Sequence, residues 1–452
     1  MENVVIAGAG LVGSLLALSL GNRGLTVDVY ERRQDMRKLS FEGGRSINLA
    51  LSDRGWKALK EVGIDSEIEK IGIPMYGRMI HNDDGSTVYQ AYGEADQAIY
   101  SVSRGALNWA LMDAAEKHPK VNFYFDEKCD KIDTRKGSVQ FTNTNTGEQK
   151  SITPNLIFGA DGAFSKVRYS MQRTPQFNYS QSYLPHGYKE LHIPAAQNGG
   201  FRINKNALHI WPRHSFMLIA LPNLDGSFTC TLFLSYEGEV AFDKLKTADD
   251  VAQFFNTHFA DAVPHMPNLI PDFFDNPVGS LLTVRCSPWI KNDNIALIGD
   301  ASHAIVPFYG QGMNSGFEDC TVLNACINEF THNNITDWQA TLAKYQELRI
   351  PDANAIADLA LRNFIEMRDL VADPMFLLRK KIAKRLYHKY GERFIPLYSM
   401  VTFSHIRYSD ALARGKKQDG LLDKIMALPN IEKRWDTGEL DTQIEEWMTD
   451  LL

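Results

Sequence analysis

Short apolar runs that end at glycines or acidic residues recur along this chain, and such runs are typical of buried strands. The first, Val4–Ala7, leads into a glycine-rich turn and then into an apolar stretch with the length of a helix. A second run, Leu25–Tyr30, ends at Glu31. Strand, turn, helix and strand in this order predict a βαβ unit, and therefore a fold of the α/β class.

The middle of the chain, from about residue 176 to residue 270, is rich in strand-like runs. Two shorter alternating runs, Tyr76–His81 and Thr87–Tyr92, lie upstream of it. From Trp338 onward, apolar residues recur at spacings of three and four, which predicts helices. The strands predicted in the middle are Gly187–Ile193, Ala207–Trp211, Phe216–Ala220 and Phe228–Phe233.

These changes of pattern predict domains that are interleaved along the chain. No repeat and no low-complexity linker separates one section from the next. We expect a nucleotide-binding domain from residues 1–70, 101–175 and 271–370, a strand-rich domain from residues 71–100 and 176–270, and a helical C-terminal region from residues 371–452.

The first turn has the glycine spacing of a dinucleotide-binding motif. Gly8 would allow the tight turn, Gly10 would let the backbone approach a pyrophosphate, and Gly13 would let helix and strand pack closely. Glu31 stands where an acidic residue would bind an adenosine ribose. Arg32 and the arginine after it would suit a 2′-phosphate, but Glu31 opposes one, so the motif favours FAD or NAD over NADP.

The segment after the strand Ile295–Ile298 combines an acidic residue with a second glycine-rich turn and a helix start. Asp300 can accept hydrogen bonds from polyol hydroxyls. Gly312 lies in the turn, and the helix is predicted to begin at Met313. Because a helix start carries free N–H groups and the positive end of the helix dipole, the N–H groups of Met313 and Asn314 would suit the carbonyls of a flavin.

A third segment, Leu156–Arg168, ends a strand in Asp161-Gly162. With these three segments in this order, the chain resembles the class A FAD monooxygenases related to para-hydroxybenzoate hydroxylase. The resemblance implies a glutathione-reductase-type FAD-binding domain interleaved with an antiparallel β-sheet substrate domain of α+β type, followed by a helical C-terminal region. It also implies that NADPH reduces the flavin and that no separate domain binds NADPH. The sequence contains no second GxGxxG motif, which agrees.

Longer stretches resemble the kynurenine 3-monooxygenase family in particular, over roughly residues 1–410. They are Gly43–Gly55, Pro185–Leu191, His209–Arg213, Ala220–Asn223, Phe228–Phe233, Arg362–Arg368 and Phe394–Tyr408. This resemblance implies a monooxygenase of tryptophan catabolism that uses bound FAD, NADPH and O2 to convert L-kynurenine into 3-hydroxy-L-kynurenine. A flavin hydroperoxide would supply the oxygen, so no protein side chain is expected to be catalytic.

The resemblance also assigns roles to single residues. Arg78 and Tyr92 would bind the substrate carboxylate, for which a guanidinium fork is well suited, and Tyr398 would be a further hydroxyl donor. The other substrate-binding residues would be Asn363 at the amino acid head, Glu366 beside it, and an apolar wall of Phe233, Pro307, Phe308 and Leu218. The other cofactor-binding residues would be Arg104 at the pyrophosphate, Val12, and the backbones of Ala50 and Cys129.

Read without the resemblance, the same residues have ordinary structural roles. Arg78 would be a salt-bridge partner, and Tyr92 and Tyr398 would be core aromatics. His303 lies close to Asp300 in sequence, but the implied reaction needs no histidine base, so we expect a structural histidine.

Composition narrows the class of protein. The 452 residues carry a net charge of −7 without a basic tract, which disfavours nucleic-acid binding. The five cysteines are scattered without a CxxC motif, so we expect neither a disulfide framework nor a metal site. No apolar run approaches the roughly 20 residues that span a bilayer. Because eukaryotic members of the resembled family carry a membrane-anchoring tail, the resemblance implies from the charged segment 415–452 a bacterial-type soluble member. The scattered cysteines favour a reducing compartment, the cytoplasm, and the oligomeric state, monomer or dimer, stays open.

Two other functions remain open on the sequence alone. One is a flavin hydroxylase of another aromatic amino acid. A flavin halogenase on the same scaffold is disfavoured, because the sequence lacks a WxWxIP motif. The other is a non-catalytic flavin redox sensor, which would have no need for a pocket shaped to an amino acid.

Overall fold

The computed structural model describes residues 2–38, 48–94, 96–370 and 373–449, so part of the predicted family stretch Gly43–Gly55 lies outside it. In chain order the strands are β1 (Asn3–Ala7), β2 (Thr26–Tyr30), β3 (Asn48–Leu51), β4 (Gly72–Met75), β5 (Gly77–His81), β6 (Thr87–Ala91), β7 (Ile99–Ser103), β8 (Val121–Tyr124), β9 (Glu127–Asp133), β10 (Ser138–Asn143), β11 (Gln149–Ile152), β12 (Leu156–Gly159), β13 (Asn178–Ile193), β14 (Ala207–Arg213), β15 (Phe216–Pro222), β16 (Phe228–Ser235), β17 (Gly279–Ser287), β18 (Ile290–Lys291), β19 (Ile295–Leu297), β20 (Thr331–His332) and β21 (Ile335–Thr336).

The helices are α1 (Leu11–Asn22), α2 (Asp53–Glu61), α3 (Asp65–Glu69), α4 (Arg104–Glu116), α5 (Lys166–Met171), α6 (Ala248–His258), α7 (Leu269–Asp275), α8 (Asp300–His303), α9 (Gly312–Glu329), α10 (Trp338–Ile365), α11 (Pro374–Tyr390), α12 (Leu397–Thr402), α13 (Tyr408–Met426), α14 (Ile431–Arg434) and α15 (Asp441–Thr449). Turns of 3-10 helix lie at Met36–Lys38, Phe242–Lys244, Val263–His265, Pro307–Tyr309 and Gly391–Arg393, and a π-helical turn spans Glu366–Leu370.

The first sheet is built from strongly buried strands. Its order is β18-β19-β12-β1-β2-β8, with parallel neighbours except for β18. Val4, Val5 and Ile6 on β1 are fully buried, as expected for a parallel sheet with both faces covered. Helix α1 packs against both α4 and α9. The predicted α/β class is confirmed.

The second sheet draws its strands from separate parts of the chain. Its order is β17-β13-β16-β15-β14-β5-β6, and the neighbours are antiparallel except for β14 and β5. Residues on one face pack against α6 and α7 in a core that contains Leu218, Leu232 and Phe255. The opposite face, with Met217 and Ile219, borders a cavity that Gly10 after β1 also borders. The early hairpin β5–β6 therefore becomes part of a sheet whose other strands follow much later.

Two three-stranded sheets lie apart from the two large ones in strand pairing. The strands β3, β7 and β4 form one, in the order β3-β7-β4, and β11, β10 and β9 form another. Strand β7 leads directly into α4, whose first turn is capped by the Ser103 side chain. The position of Arg104 at the start of α4 is thus fixed by a strand–helix junction.

The C-terminal part is helical and has its own apolar core. Helix α10 runs from Trp338 to Ile365 and passes into the π-helical turn Glu366–Leu370. Helices α11, α13 and α15 share a core that includes Leu386, Leu421 and Ile444. Within the residues that the structure describes, no helix is both long and apolar enough to cross a membrane.

Candidate active site

A cavity of about 440 Å³ lies where the first sheet, the second sheet and the C-terminal helices meet. At one end it is bordered by Gly10 in the turn after β1 and by Gly312 at the start of α9. At the other end it is bordered by side chains of β5, β15 and β16 and by Tyr398 of α12. The cavity thus joins a glycine-rich backbone surface to a surface of aromatic and basic side chains.

The turn after β1 shows the separate roles of its glycines. Gly8 has a φ of +104°, and a Cβ there would lie 2.5 Å from the Ala160 carbonyl oxygen. A Cβ at Gly13 would lie 2.0 Å from the Gly8 carbonyl oxygen. A Cβ at Gly10 would meet no described atom within 4 Å, and Gly10 borders the cavity. The turn therefore holds strand and helix together and leaves open space over Gly10 that fits a pyrophosphate.

Glu31 is fixed at the end of β2. Its carboxylate accepts a hydrogen bond from the Ala9 N–H at 3.0 Å and from Arg33 Nε at 2.7 Å. Burial alone would raise the pKa of Glu31, but the contacts with Arg33 and Ala9 lower it. Both Arg32 and Arg33 are exposed, and the arginine that forms an ion pair with Glu31 is Arg33.

Asp300 begins α8 and borders the cavity, as does Arg104. Burial raises the pKa of Asp300, and the charges of Arg104 and His303 partly offset this effect. His303 itself is held by Asp319, with 2.6 Å between Nε2 and Oδ2. This pairing agrees with the structural role expected for His303 and leaves Asp300 as the acidic group at this end of the cavity.

The start of α9 is organised by the Asn314 side chain. Its amide nitrogen donates to the carbonyl oxygens of Ala50 and Gly310, both at 2.8 Å, and its oxygen accepts from the Ser52 N–H at 2.9 Å. Met313 borders the cavity. Because the Asn314 side chain is used to join β3 to the helix, any contact it makes with a flavin would come from its backbone N–H.

The opposite end of the cavity contains a half-buried arginine between two tyrosines. The Arg78 guanidinium lies 5.5 Å from the ring centre of Tyr92 and 4.9 Å from that of Tyr398. The two rings stack at 5.4 Å. Arg78 Nε and the Tyr92 hydroxyl are buried and have no hydrogen-bond partner among the described residues. Such groups are costly when left unpaired, so this end fits an anionic ligand group.

An apolar wall lies between these two ends. Phe308 contacts Phe233 at 4.9 Å between ring centres and stacks on Phe364 at 4.1 Å. The Asn363 side chain donates to the Phe308 carbonyl oxygen at 2.7 Å. Pro307 and Phe308 border the cavity. Asn363 therefore holds the loop that carries the wall.

Comparisons with known proteins agree with this geometry. A sequence profile described as an FAD binding domain matches residues 1–360. The kynurenine 3-monooxygenase of Flavobacterium johnsoniae is 49% identical over 443 residues, which cover 98% of this chain and 98% of that protein. The kynurenine 3-monooxygenase of Dictyostelium discoideum is 45% identical over 432 residues, covering 94% and 93%. The chain belongs to the kynurenine 3-monooxygenase family.

Solved structures with the same fold have lower sequence identity to this chain than the kynurenine 3-monooxygenases have. The tetrameric form of 2-methyl-3-hydroxypyridine-5-carboxylic acid oxygenase matches with a TM-score of 0.67 and 18% identity, covering 83% of this chain and 94% of that chain. PqsL of Pseudomonas aeruginosa, in complex with 2-aminobenzoylacetate, matches with a TM-score of 0.65 and 20% identity, covering 81% and 97%. At these identities the likeness shows the fold alone.

Glu366 lies behind the wall of the cavity. Its carboxylate accepts hydrogen bonds from Arg362 at 3.1 Å and from Lys380 at 3.2 Å. Burial would raise the pKa of Glu366, but these two cations lower it. Glu366 and Asn363 border a second cavity of about 470 Å³. It shares Arg78, Tyr92, Tyr309 and Tyr398 with the first. A contact between Glu366 and a substrate stays a prediction.

The wall residue Leu218 was predicted wrongly. It packs on the far face of the second sheet, against the core under α6 and α7. Its neighbours Met217 and Ile219 border the cavity instead, because successive side chains of a strand point to opposite faces. The period of two was available from the sequence, but every residue of this strand is apolar, so the pattern did not reveal which face is which.

Two further predicted cofactor residues differ in their surroundings. Val12 borders the cavity and packs against Gly299 and Gly316. Cys129 is buried on β9, and burial raises the pKa of its thiol. It does not border the cavity, and its backbone contact with FAD stays a prediction. Tyr188 and Leu208 border the cavity without having been predicted, because their strands were identified but not the facing of their side chains.

Proposed function

We propose that this chain is an FAD-dependent monooxygenase that hydroxylates L-kynurenine to 3-hydroxy-L-kynurenine at the expense of NADPH and O2. The observation that carries the proposal is a guanidinium, that of Arg78, whose Nε is buried without a hydrogen-bond partner next to the equally buried Tyr92 hydroxyl. Both lie at one end of a cavity whose other end is a glycine-rich nucleotide turn. The relatives that cover nearly the whole chain carry the name of this activity.

FAD fits the residues at the nucleotide end. The open space over Gly10 would take the pyrophosphate, with Arg104 as its cation, and Glu31 would bind the adenosine ribose. Asp300 would accept hydrogen bonds from the ribityl hydroxyls, and the free N–H groups at Met313 would face the flavin ring. When bound, FAD supplies hydride acceptance and oxygen activation.

The protein residues orient the substrate. The carboxylate of kynurenine would accept charge-assisted hydrogen bonds from Arg78 and a hydrogen bond from Tyr92, with Tyr398 as a further donor. Holding the amino acid head there directs the aniline ring into the apolar part of the cavity beside Phe233 and Phe308. The ring is activated by its own amino group, so orientation is the main contribution of the side chains.

Exclusion of water is the second contribution. Phe233, Pro307 and Phe308 border the space in which the ring would lie, and Phe308 is packed between Phe233 and Phe364. A dry site protects a reactive oxygen species from unproductive decay to H2O2. The loop would keep its shape because Asn363 holds the Phe308 carbonyl.

A cytoplasmic location belongs to the same proposal. The reaction consumes NADPH, and each of the five cysteines is buried and unpaired. Free thiols are typical of proteins in a reducing compartment.

The experiment that tests the proposal is NADPH oxidation by the FAD-loaded protein with and without L-kynurenine, with the product identified by mass. Strong stimulation and a product heavier by one oxygen atom are expected. If L-kynurenine stimulates NADPH oxidation but H2O2 is the only product, kynurenine would be an effector and not the substrate. No stimulation would refute the proposal and lead next to other aromatic amino acids.

A further inference from the structure

The helix that carries Tyr398 is short and depends on a distant residue. Helix α12 has six residues, and isolated helices of this length are unstable in water. The last carbonyls of a helix have no partner within it. Two of them, at Met400 and Val401, accept hydrogen bonds from Arg54, at 3.3 Å from Nη2 and 3.1 Å from Nε. Arg54 thus caps the end of α12 together with Ser404, whose Oγ donates to the Met400 carbonyl at 2.6 Å.

Arg54 comes from a different part of the chain and is almost fully buried. It lies in the first turn of α2, with 1% of its surface exposed. Its guanidinium also donates to the Ile406 carbonyl and to the Glu318 carboxylate. It lies 4.0 Å from the ring centre of Tyr408. A planar group with several fixed donors suits such a set of contacts, which a lysine could not reproduce.

Tyr408 extends this contact to the cofactor side of the site. Its hydroxyl donates to Gln311 Oε1 at 2.8 Å, and Gln311 Nε2 donates to Ser52 Oγ at 3.3 Å. Gln311 precedes α9 directly and follows the loop that carries Phe308. The helix that carries Tyr398 and the loop at the apolar wall are therefore held by one connected group of buried side chains.

Buried ion pairs support the group from behind. Glu318 also accepts from Arg349 Nη1 at 2.7 Å, and Arg349 Nε donates to Asp319 at 2.7 Å. The same Asp319 accepts from the Gly299 N–H at 2.9 Å, next to Asp300. Removing the charge at Arg54 would disturb these pairs, whereas a change that keeps the charge would leave them in place.

We propose that Arg54, stacked on Tyr408, is a positioning residue for hydroxylation, which acts by capping α12 and thereby holding Tyr398 against Arg78. This proposal rests on the proposed function. With the cap lost, Tyr398 leaves its place beside Arg78 and Tyr92, the carboxylate end of the substrate is held less firmly, and the ring is placed less well in the apolar part of the cavity.

The first test is Arg54→Lys, which keeps a positive charge beside Glu318 but cannot donate to all three carbonyls. Expected results are an unchanged FAD content, a dissociation constant for L-kynurenine raised about tenfold, and a larger share of NADPH oxidation ending in H2O2. The dissociation constant is measured without turnover, from the change in flavin absorbance of the oxidised protein. The proposal would be overturned if both the dissociation constant and the coupling, which is the share of NADPH oxidation that yields hydroxylated product, were unchanged.

Arg23→Lys is the matched control. Arg23 also comes from one helix end and donates to a carbonyl and side chains of another helix, at Asn324 and Asn328 near the end of α9. It has no contact with α12 in the described structure. We expect the Arg23→Lys variant to bind L-kynurenine with the dissociation constant of the unmodified protein and to have the same coupling. An equal loss in this control would mean that any exchange of a helix-docking arginine has the same effect, which would contradict the proposal.

A double-mutant cycle with Tyr398→Ala separates positioning from general structure. If Arg54 acts through Tyr398, Arg54→Lys costs about tenfold in the unmodified protein and less than about twofold in the Tyr398→Ala background. The same cost in both backgrounds would overturn the proposal. If Arg54→Lys does not fold, Tyr408→Leu, which removes the ring on which the Arg54 guanidinium is stacked, takes its place in the cycle, with a smaller effect of the same kind expected.

The two proposals fail in different ways. If L-kynurenine does not stimulate the unmodified protein, the proposed function is refuted before any variant is made. If the unmodified protein is active and the cycle is additive, only the positioning role of Arg54 is refuted.

Discussion

At the scale of single residues, Arg78 is the most unusual group in the cavity. Its guanidinium is enclosed by Tyr92 and Tyr398, and its Nε has no hydrogen-bond partner within the described chain. A half-buried cation that faces a cavity without a carboxylate partner gains most from a ligand that supplies the opposite charge. The protein therefore carries an unfavourable arrangement that substrate binding would relieve.

Replacing Arg78 by alanine should weaken L-kynurenine binding by about 2–5 kcal/mol, since the bound carboxylate would be left without its cation. The FAD content should stay the same, because Arg78 lies at the end of the cavity opposite Gly10. Both are measured by titration of the flavin absorbance. Arg173→Ala, at an exposed arginine, serves as the control. Unchanged affinity in Arg78→Ala would exclude this arginine as the carboxylate site.

A second residue-scale feature lies on the far face of the second sheet. His209 Nε2 donates to the Asn204 carbonyl oxygen at 2.8 Å, and its Nδ1 lies 2.9 Å from Nε2 of His81. Burial lowers the pKa of His209 to about 4. The folded protein therefore keeps this imidazole neutral at pH values where an exposed histidine is charged.

Acidification should therefore destabilise the fold through His209. Below the ordinary histidine pKa of about 6.5, the unfolded chain binds a proton that the folded chain does not bind until the pH falls to about 4. The folded state loses up to about 3 kcal/mol over this range. Urea unfolding of FAD-loaded protein at pH 7 and pH 4.5 measures the loss.

His209→Gln should have a correspondingly smaller loss of stability between these two pH values. His332→Gln, at an exposed position on β20, should behave like the unmodified protein. If His209→Gln and the unmodified protein lose the same free energy of unfolding on acidification, His209 is not the group responsible.

At the scale of elements, neighbouring residues of strand β15 have different roles: Leu218 packs in the core and Ile219 borders the cavity. Leu218→Ala should lower the free energy of unfolding by about 2–5 kcal/mol through a buried cavity, with little effect on coupling. Ile219→Ala, on the cavity side, should cost less stability and increase the share of NADPH oxidation that yields H2O2. Urea unfolding and product-to-NADPH ratios measure the two effects. The reverse pattern would mean that the facing of the strand is assigned wrongly.

The same strand shows how far sequence reasoning reaches. The strands of the middle section could be predicted because apolar runs of this length are typical of strands. Their facing could not, since both faces of β15 are buried and Phe216–Pro222 contains no polar residue to mark one of them. The glycine turn could be predicted, because each of its glycines occupies a position where a side chain would clash or would block the approach of a ligand.

The glycine turn allows a matched pair of substitutions. Gly10→Ala should leave the fold intact and weaken FAD binding about tenfold or more, because the added methyl group enters the space open to the cavity. Gly13→Ala should instead lower the free energy of unfolding by about 1–3 kcal/mol, because its Cβ collides with the Gly8 carbonyl. FAD titration and urea unfolding of the apoprotein distinguish them. Unchanged FAD affinity in Gly10→Ala would place the pyrophosphate elsewhere.

At the scale of the whole molecule, the site is assembled from residues that are far apart in sequence. Arg54 contacts the carbonyls of Met400 and Val401 across nearly 350 positions. No local pattern marks such a contact, because an arginine in the first turn of a helix is usually a surface residue. The resemblance located Arg78 and Tyr398, but the residue that joins α2 to α12 emerges only from the packed structure.

Removal of FAD should destabilise the whole molecule, because the proposed cofactor residues lie on the first sheet, on α4 and on α9. At a free FAD concentration about 100 times its dissociation constant, the cofactor should add about 2.7 kcal/mol to the free energy of unfolding. Urea unfolding of the apoprotein, with FAD added in steps, measures this. Stability independent of FAD concentration would contradict the assigned site.

The parallel pairing of β14 with β5 has a consequence for biosynthesis. Ala207 pairs with Gly77, so the hairpin β5–β6 leaves the ribosome about 130 residues before its neighbour in the sheet. Until β14 arrives, one edge of the hairpin presents unpaired backbone groups, and such edges promote association between chains. Pairing at this sequence distance is also slow to form. During synthesis the nascent chain therefore passes through a period in which a chaperone that shields this edge would raise the yield of folded protein.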